Sequence, residues 1–219
     1  MSTVNSPQGL GPSMVPTPIP PPESANGQQL IAFLNPHVSA PNSDGHRLEE
    51  ILEWDDERLQ NGRGYMDWLF PVPYNSDRID QQTLIYCRSS NEILWNMRVS
   101  FTRMMALYGF DVEYDHENGE GELRIGFPRN NRDSFKRWLK DTDHSHTRIA
   151  RIFVCLRLFS LTDEAVKAYE AFTYVNELFG NPVSNDTLDI WTQSIDLPLV
   201  TLSRGYLNFQ PRFFENGPY

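Results

Sequence analysis

A mainly α-helical, compact single-domain bundle, with one short β-hairpin and a disordered Pro-rich N-terminal leader, is the fold class this sequence predicts. Three observations carry it. Beyond residue 46, apolar residues recur at three- and four-residue spacings through most of the chain, as they do on helices with one buried face. A single stretch alternates instead, on both sides of Asn118-Gly119, as hairpin strands do. Nine of the sixteen prolines fall within residues 1–45, among Ser, Asn, Gly and Gln, and such a composition buries too little apolar area to offset its chain entropy. The expected boundaries are therefore a leader at 1–45 and a helical domain at 46–219.

Each element has its own signal. The leader, with "PTPIPPPES", reads as a flexible lead-in or as a polyproline ligand for another protein. Its apolar patch "LIAFL", Leu30 to Leu34, could pack on the domain as a short arm. "HRLEEILEWDDERLQ" sets Leu48, Ile51, Leu52 and Leu59 at helical spacings, so one amphipathic helix is expected to end near Asn61-Gly62. "SSNEILWNMRVSFTRMMALYGF" is the clearest helix, with Ser89 and Glu92 at capping-box spacing and a stop at Gly109. "DVEYDHENGEGELRIGF" is the hairpin. Further helices are expected in "RDSFKRWLKD", "HTRIARIFVCLRLFSL", "TDEAVKAYEAFTYVNELFG" with a Thr162 cap and Gly180 stop, and "NDTLDIWTQSI".

Bulk properties remove several function classes. A net charge of -10 argues against a phosphate-backbone partner, because nucleic-acid footprints are basic. No apolar run approaches a membrane span, and the first residues lack the layout of a secretory signal, so a cytoplasmic location is expected. Cys87 and Cys155 are the only cysteines and read as small core hydrophobes. "DTDHSH", Asp141 to His146, has i,i+2 histidines in a loop, which is weak for a metal, and no metal site is expected. Asp55-Asp56-Glu57 and Asn185 to Gln193 fall short of the acidic magnesium motifs of diphosphate chemistry. No phosphate loop, dinucleotide glycine pattern or nucleophile elbow occurs, so no cofactor is expected.

"ERLQNGRGYMDWLFP", "MMALYGF" and "HSHTRIARIF", in this order and separation, resemble the conserved region of the opioid growth factor receptor family. Glu57, Arg58, Leu59, Tyr65, Trp68, Leu69, Phe70 and Pro71 stand in the family's frame, followed by Tyr108, Gly109, His144, Arg148, Ile149, Arg151 and Ile152. The likeness covers roughly Leu48 to Phe179. Arg63, Asp67 and Ser145 replace the family's His, Gln and Asn. The resemblance implies a compact helical fold in a stand-alone, diverged member, and transfers no catalytic residue set.

The candidate residues follow from chemistry. Trp68 to Pro71 either plug the core or, with Tyr65, wall a hollow in which the tyrosine hydroxyl donates to a ligand carbonyl. Arg148 and Arg151, three apart beside an apolar strip, either pair with surface acids or turn inward to hold a carbonyl or carboxylate. His144 is a candidate acid or base. The reading formed from these is a cofactor-independent cyclase or isomerase, pericyclase-like. It folds a hydrophobic natural-product substrate between Trp68, Phe101, Tyr108 and Met105 and polarises a carbonyl through Arg151, Arg148, Tyr65 or His144. The alternative is a non-catalytic peptide- or protein-binding module. A homodimer through an apolar stripe is left open.

Overall fold

The computed structural model describes residues 19–73, 79–114, 122–127 and 132–198. In chain order it comprises α1 (Ala25–Leu34), α2 (Leu48–Leu52), α3 (Asp56–Asn61), α4 (Met66–Leu69), α5 (Gln81–Ser89) and α6 (Asn91–Leu107). The strands β1 (Asp111–Tyr114) and β2 (Leu123–Gly126) come next, then α7 (Arg132–Phe135), α8 (His144–Leu158), α9 (Thr162–Leu178) and α10 (Asn185–Asp196). The mainly helical class with one antiparallel hairpin is as the sequence predicts. Val112 pairs with Ile125 and Glu113 with Arg124. The turn expected at Asn118-Gly119 lies outside the described residues, as do 1–18 of the leader.

Helix α8 is the central element, because twelve of its fifteen residues are buried and it can satisfy that only with neighbours on all sides. α9 and α10 pack against it and against each other. β2 lies on α9, and β1 on α6. The space between is filled by rings. Phe172 meets Trp138 edge-on at 4.8 Å, Phe110 at 4.8 Å and Trp191 at 5.6 Å. Two buried indoles bond their N–H groups to backbone: Trp138 Nε1 donates to Tyr108 O at 3.0 Å, and Trp191 Nε1 to His146 O at 3.1 Å.

The folded part begins earlier than the expected boundary at residue 46. Ala25–Leu34 is a helix whose Leu30, Phe33 and Leu34 are fully buried. Composition hid it: the prolines on its N-terminal side dominate the average, while one ten-residue amphipathic turn of chain suffices to dock. Its cap is tied to that of α5. Ser24 Oγ accepts from Gly27 N at 3.2 Å and donates to Asp80 Oδ2 at 2.7 Å, and Asp80 Oδ1 accepts from Thr83 N at 2.7 Å. A Cβ at Gly27 would overlap Thr83 Oγ1, so glycine permits this approach of α1 to α5.

Other boundaries also moved. The single helix expected over 48–61 is two, α2 and α3, broken so that Asp55 can cap α3 by accepting from Arg58 N at 2.7 Å. α6 is capped by Ser90 instead of Ser89, since Ser89 closes α5. α9 is entered through Leu161 without a side-chain cap, and Thr162 is its first helical residue. Gly109 stops α6 as expected, at φ +97°, where a Cβ would sit 2.9 Å from the Phe135 ring.

Candidate functional site

Tyr65, Arg148 and His144 are drawn together around residues 59–65, the end of α3 and the turn that joins it to α4. This turn exposes carbonyls that no helix satisfies, and the N-terminal half of α8 supplies the donors. Arg148 Nη1 donates to Leu59 O and Gln60 O, both at 2.9 Å, and Nη2 to Gly62 O at 2.6 Å. Tyr65 Oη donates to Leu59 O at 2.7 Å and lies 3.5 Å from Arg148 Nη1. The guanidinium also stands over the Tyr65 ring, 5.6 Å from its centre. His144 Nε2 is 3.1 Å from Gln60 O. A planar cation with a fixed fork is suited to three carbonyls, and a lysine would not reach them together.

Arg151, one helical turn further, is buried and ion-paired with Asp67. The Asp67 carboxylate, itself about a third exposed, faces this arginine. His144 is the exposed member of the set; its side chain is about half exposed and its Nδ1 lies 3.3 Å from Asp143.

The expected walls are all core residues. Trp68, Phe101, Met105 and Tyr108 are essentially inaccessible, and Trp68 packs on Phe33 at 5.2 Å. Tyr108 has one unusual property: its hydroxyl is buried with no hydrogen-bond partner. Burial pushes its phenol pKa up, opposed by Arg148, and burial does the same to Tyr65. Both phenols thus stay protonated, and of the two Tyr65 donates, to Leu59 O. The thiols are out of play as nucleophiles, since burial pushes Cys87 up to about 12 and Cys155 well above its ordinary value.

A second place was not foreseen. Between α6, the hairpin and the start of α9 lies a half-open cleft of about 480 Å³, lined among others by Trp95, Arg98, Tyr114, Leu123, Glu164 and Lys167. Trp95 is half exposed there, on the side of α6 away from its buried residues. Arg98 Nε donates to the buried Glu164 carboxylate at 2.7 Å, and Lys167 Nζ donates to Leu123 O at 2.5 Å. None of the eight sequence-predicted site residues lines this cleft. The one signal in the sequence was Trp95 itself, which falls off the Leu94, Met97, Phe101 stripe of α6.

Among the described residues no group of three or more His, Cys, Asp and Glu side chains could hold a metal ion, and no helix is long and apolar enough to cross a membrane. No curated protein and no solved structure matches the chain. The family model described as the opioid growth factor receptor (OGFr) conserved region matches residues 25–197. That span opens at the first residue of α1 and closes one residue after α10, so it takes in the helical architecture from α1 to α10. The chain therefore belongs to the opioid growth factor receptor conserved-region family.

Proposed function

We infer that this domain is a recognition module that seats a peptide or protein segment in the cleft between α6, the hairpin and α9. The observation that supports it is the exposed Trp95 at the edge of a half-open hollow whose walls carry Arg98, Lys167, Glu122, Asp163 and Glu164. A rigid aromatic ring beside charges of both signs suits a polar, extended ligand, with the indole as anchor and the charges setting register. An apolar substrate that must be desolvated suits it poorly. The test is selection of random displayed peptides against the domain. Enriched peptides should bind Trp95→Ala about tenfold or more weakly, with the melting temperature unchanged. Peptides that bind the variant equally well would assign the cleft no role.

The cofactor-free cyclase remains a second reading, favoured by one observation: the Tyr108 hydroxyl, buried and without a partner. A buried donor with nothing to donate to costs about 1–3 kcal/mol, and a site that polarises a carbonyl is one reason to keep it. On this reading Tyr65, Arg148, Arg151 and His144 supply the polarising set, and Trp68, Phe101 and Met105 the walls. A substrate would have to displace the turn at 59–65 to reach them. Apolar carbonyl compounds screened by thermal shift should raise the melting temperature of the native chain and leave Tyr108→Phe unshifted. The unliganded Tyr108→Phe variant should be at least as stable as the native chain. A large loss of stability on removing the hydroxyl would end this reading.

A further inference from the structure

An exposed apolar strip, formed by Phe127 and by the C-terminal end of α9 around the buried Phe135 of α7, lies at the opposite end of α9 from the cleft. Phe127, just after β2, lies 6.0 Å from both Tyr174 of α9 and Phe135 of α7, and Phe135 lies 5.8 Å from Phe179. Tyr174 is 56% exposed, Leu178 57%, Phe179 43% and Phe127 36%. Large apolar side chains exposed singly are ordinary, whereas four that converge around a buried ring mark a contact surface. Their neighbours give the occupant its charge. Glu170 and Glu177 stand one turn to either side of Tyr174 on the same face of α9, and both are exposed. Neither makes an ion pair among the described residues, so both carboxylates stand open beside the apolar strip. The whole molecule carries a net charge of -10.

From this we propose that the α7–β2–α9 face docks a cationic amphipathic segment of another protein, its apolar side on Phe127, Tyr174 and Leu178 and its Lys or Arg side on Glu170 and Glu177. Uncompensated carboxylates beside an apolar strip repel a second copy of this chain, which would bring the same acids to the same face, and favour a basic partner both in encounter rate and in register. The seat is independent of the cleft, because α9's seventeen residues put about 15 Å or more between Lys167 and Leu178. It would stand if the cleft proved empty of function.

The probe is a fluorescently labelled amphipathic helical peptide of Leu and Lys, compared by anisotropy with the same peptide carrying Glu for Lys. The Lys peptide should bind and the Glu peptide should not. Leu178→Asp and Tyr174→Ala, both at exposed positions, should each weaken the Lys peptide by about tenfold. The double reversal Glu170→Lys with Glu177→Lys should turn the preference toward the Glu peptide. Glu53→Lys with Glu57→Lys, the same charge change just after α2 and on α3, should leave affinity unchanged, as should Trp95→Ala. Equal binding by the strip variants would overturn the proposal. So would an equal effect of the Glu53 and Glu57 reversal, which would reduce the binding to net charge alone. Self-association of the native chain that Leu178→Asp abolishes would overturn it as well, by giving the face to a second copy.

Discussion

At the scale of single residues, Arg148 is best understood by what it replaces. Three carbonyls at the end of α3 and the turn after it, those of Leu59, Gln60 and Gly62, point at one guanidinium. Removing it would take the side-chain donor from Gly62 O, weaken the bonding of Leu59 O and Gln60 O, and leave the Tyr65 ring without its cationic cover. Arg148→Ala should therefore lower unfolding stability by about 2–4 kcal/mol in urea titration, and Arg148→Lys should recover only part of it. A stability loss within experimental error, with function lost, would instead place the arginine in a binding role. The sequence showed that Arg148 and Arg151 sit beside an apolar strip, and named pairing or inward orientation as the choices. It could not show that their partners lie 84 positions and more away, at Asp67 and at the carbonyls of residues 59–62. Backbone acceptors have no side-chain signature, so a clamp made on them is invisible until the chain is folded.

At the scale of elements, the join between α8 and α10 runs through His146. Its Nε2 donates to Trp138 O at 2.6 Å, and its Nδ1 is 3.4 Å from Thr187 Oγ1. Burial disfavours the charged ring and holds its pKa below the ordinary 6.5, against the opposing pull of Trp138 O and Asp143. In the unfolded chain the same ring protonates near 6.5. The unfolded state thus binds more protons in the window just below that value, and stability must fall as pH drops through it. Asp143 adds to this at lower pH. Burial raises its pKa, but bonds from Ser145 N and Oγ and from Lys140 outweigh that and leave it lowered, so its contribution is also lost on acidification. Stability followed by denaturation should decline from about pH 6.5 downward, and His146→Gln should flatten the upper part of that decline. A native profile level between neutrality and pH 5 would contradict the buried neutral ring. The periodicity of α6, α8, α9 and α10 was legible because each repeats its apolar spacing over three turns or more. α5, at Gln81–Ser89, was not, because its nine residues carry a weak stripe and β-branched Thr83 and Ile85.

At the scale of the whole molecule, α1 decides where the domain begins. Leu30, Phe33 and Leu34 enter the core, and Asn96 Nδ2 donates to Leu34 O at 2.9 Å. Burying three such side chains contributes about 5–8 kcal/mol, as much as many domains have in total. A chain that starts at Pro36 should therefore melt far lower than the full chain, or lose its cooperative transition, by circular dichroism; an unchanged melting curve would show α1 to be an accessory arm. The sequence by itself determined the helical class, the hairpin and the family, because these follow from spacing along the chain and from motifs in a fixed frame. Tertiary structure alone decided that Tyr65 lies beneath a guanidinium clamp while Trp68 packs on Phe33, that Trp95 opens on a cleft, and that Phe127, Phe135, Tyr174 and Phe179 meet. Each of these depends on which face of an element finds a neighbour, and burial is a property of pairs of surfaces that no single stretch of chain contains.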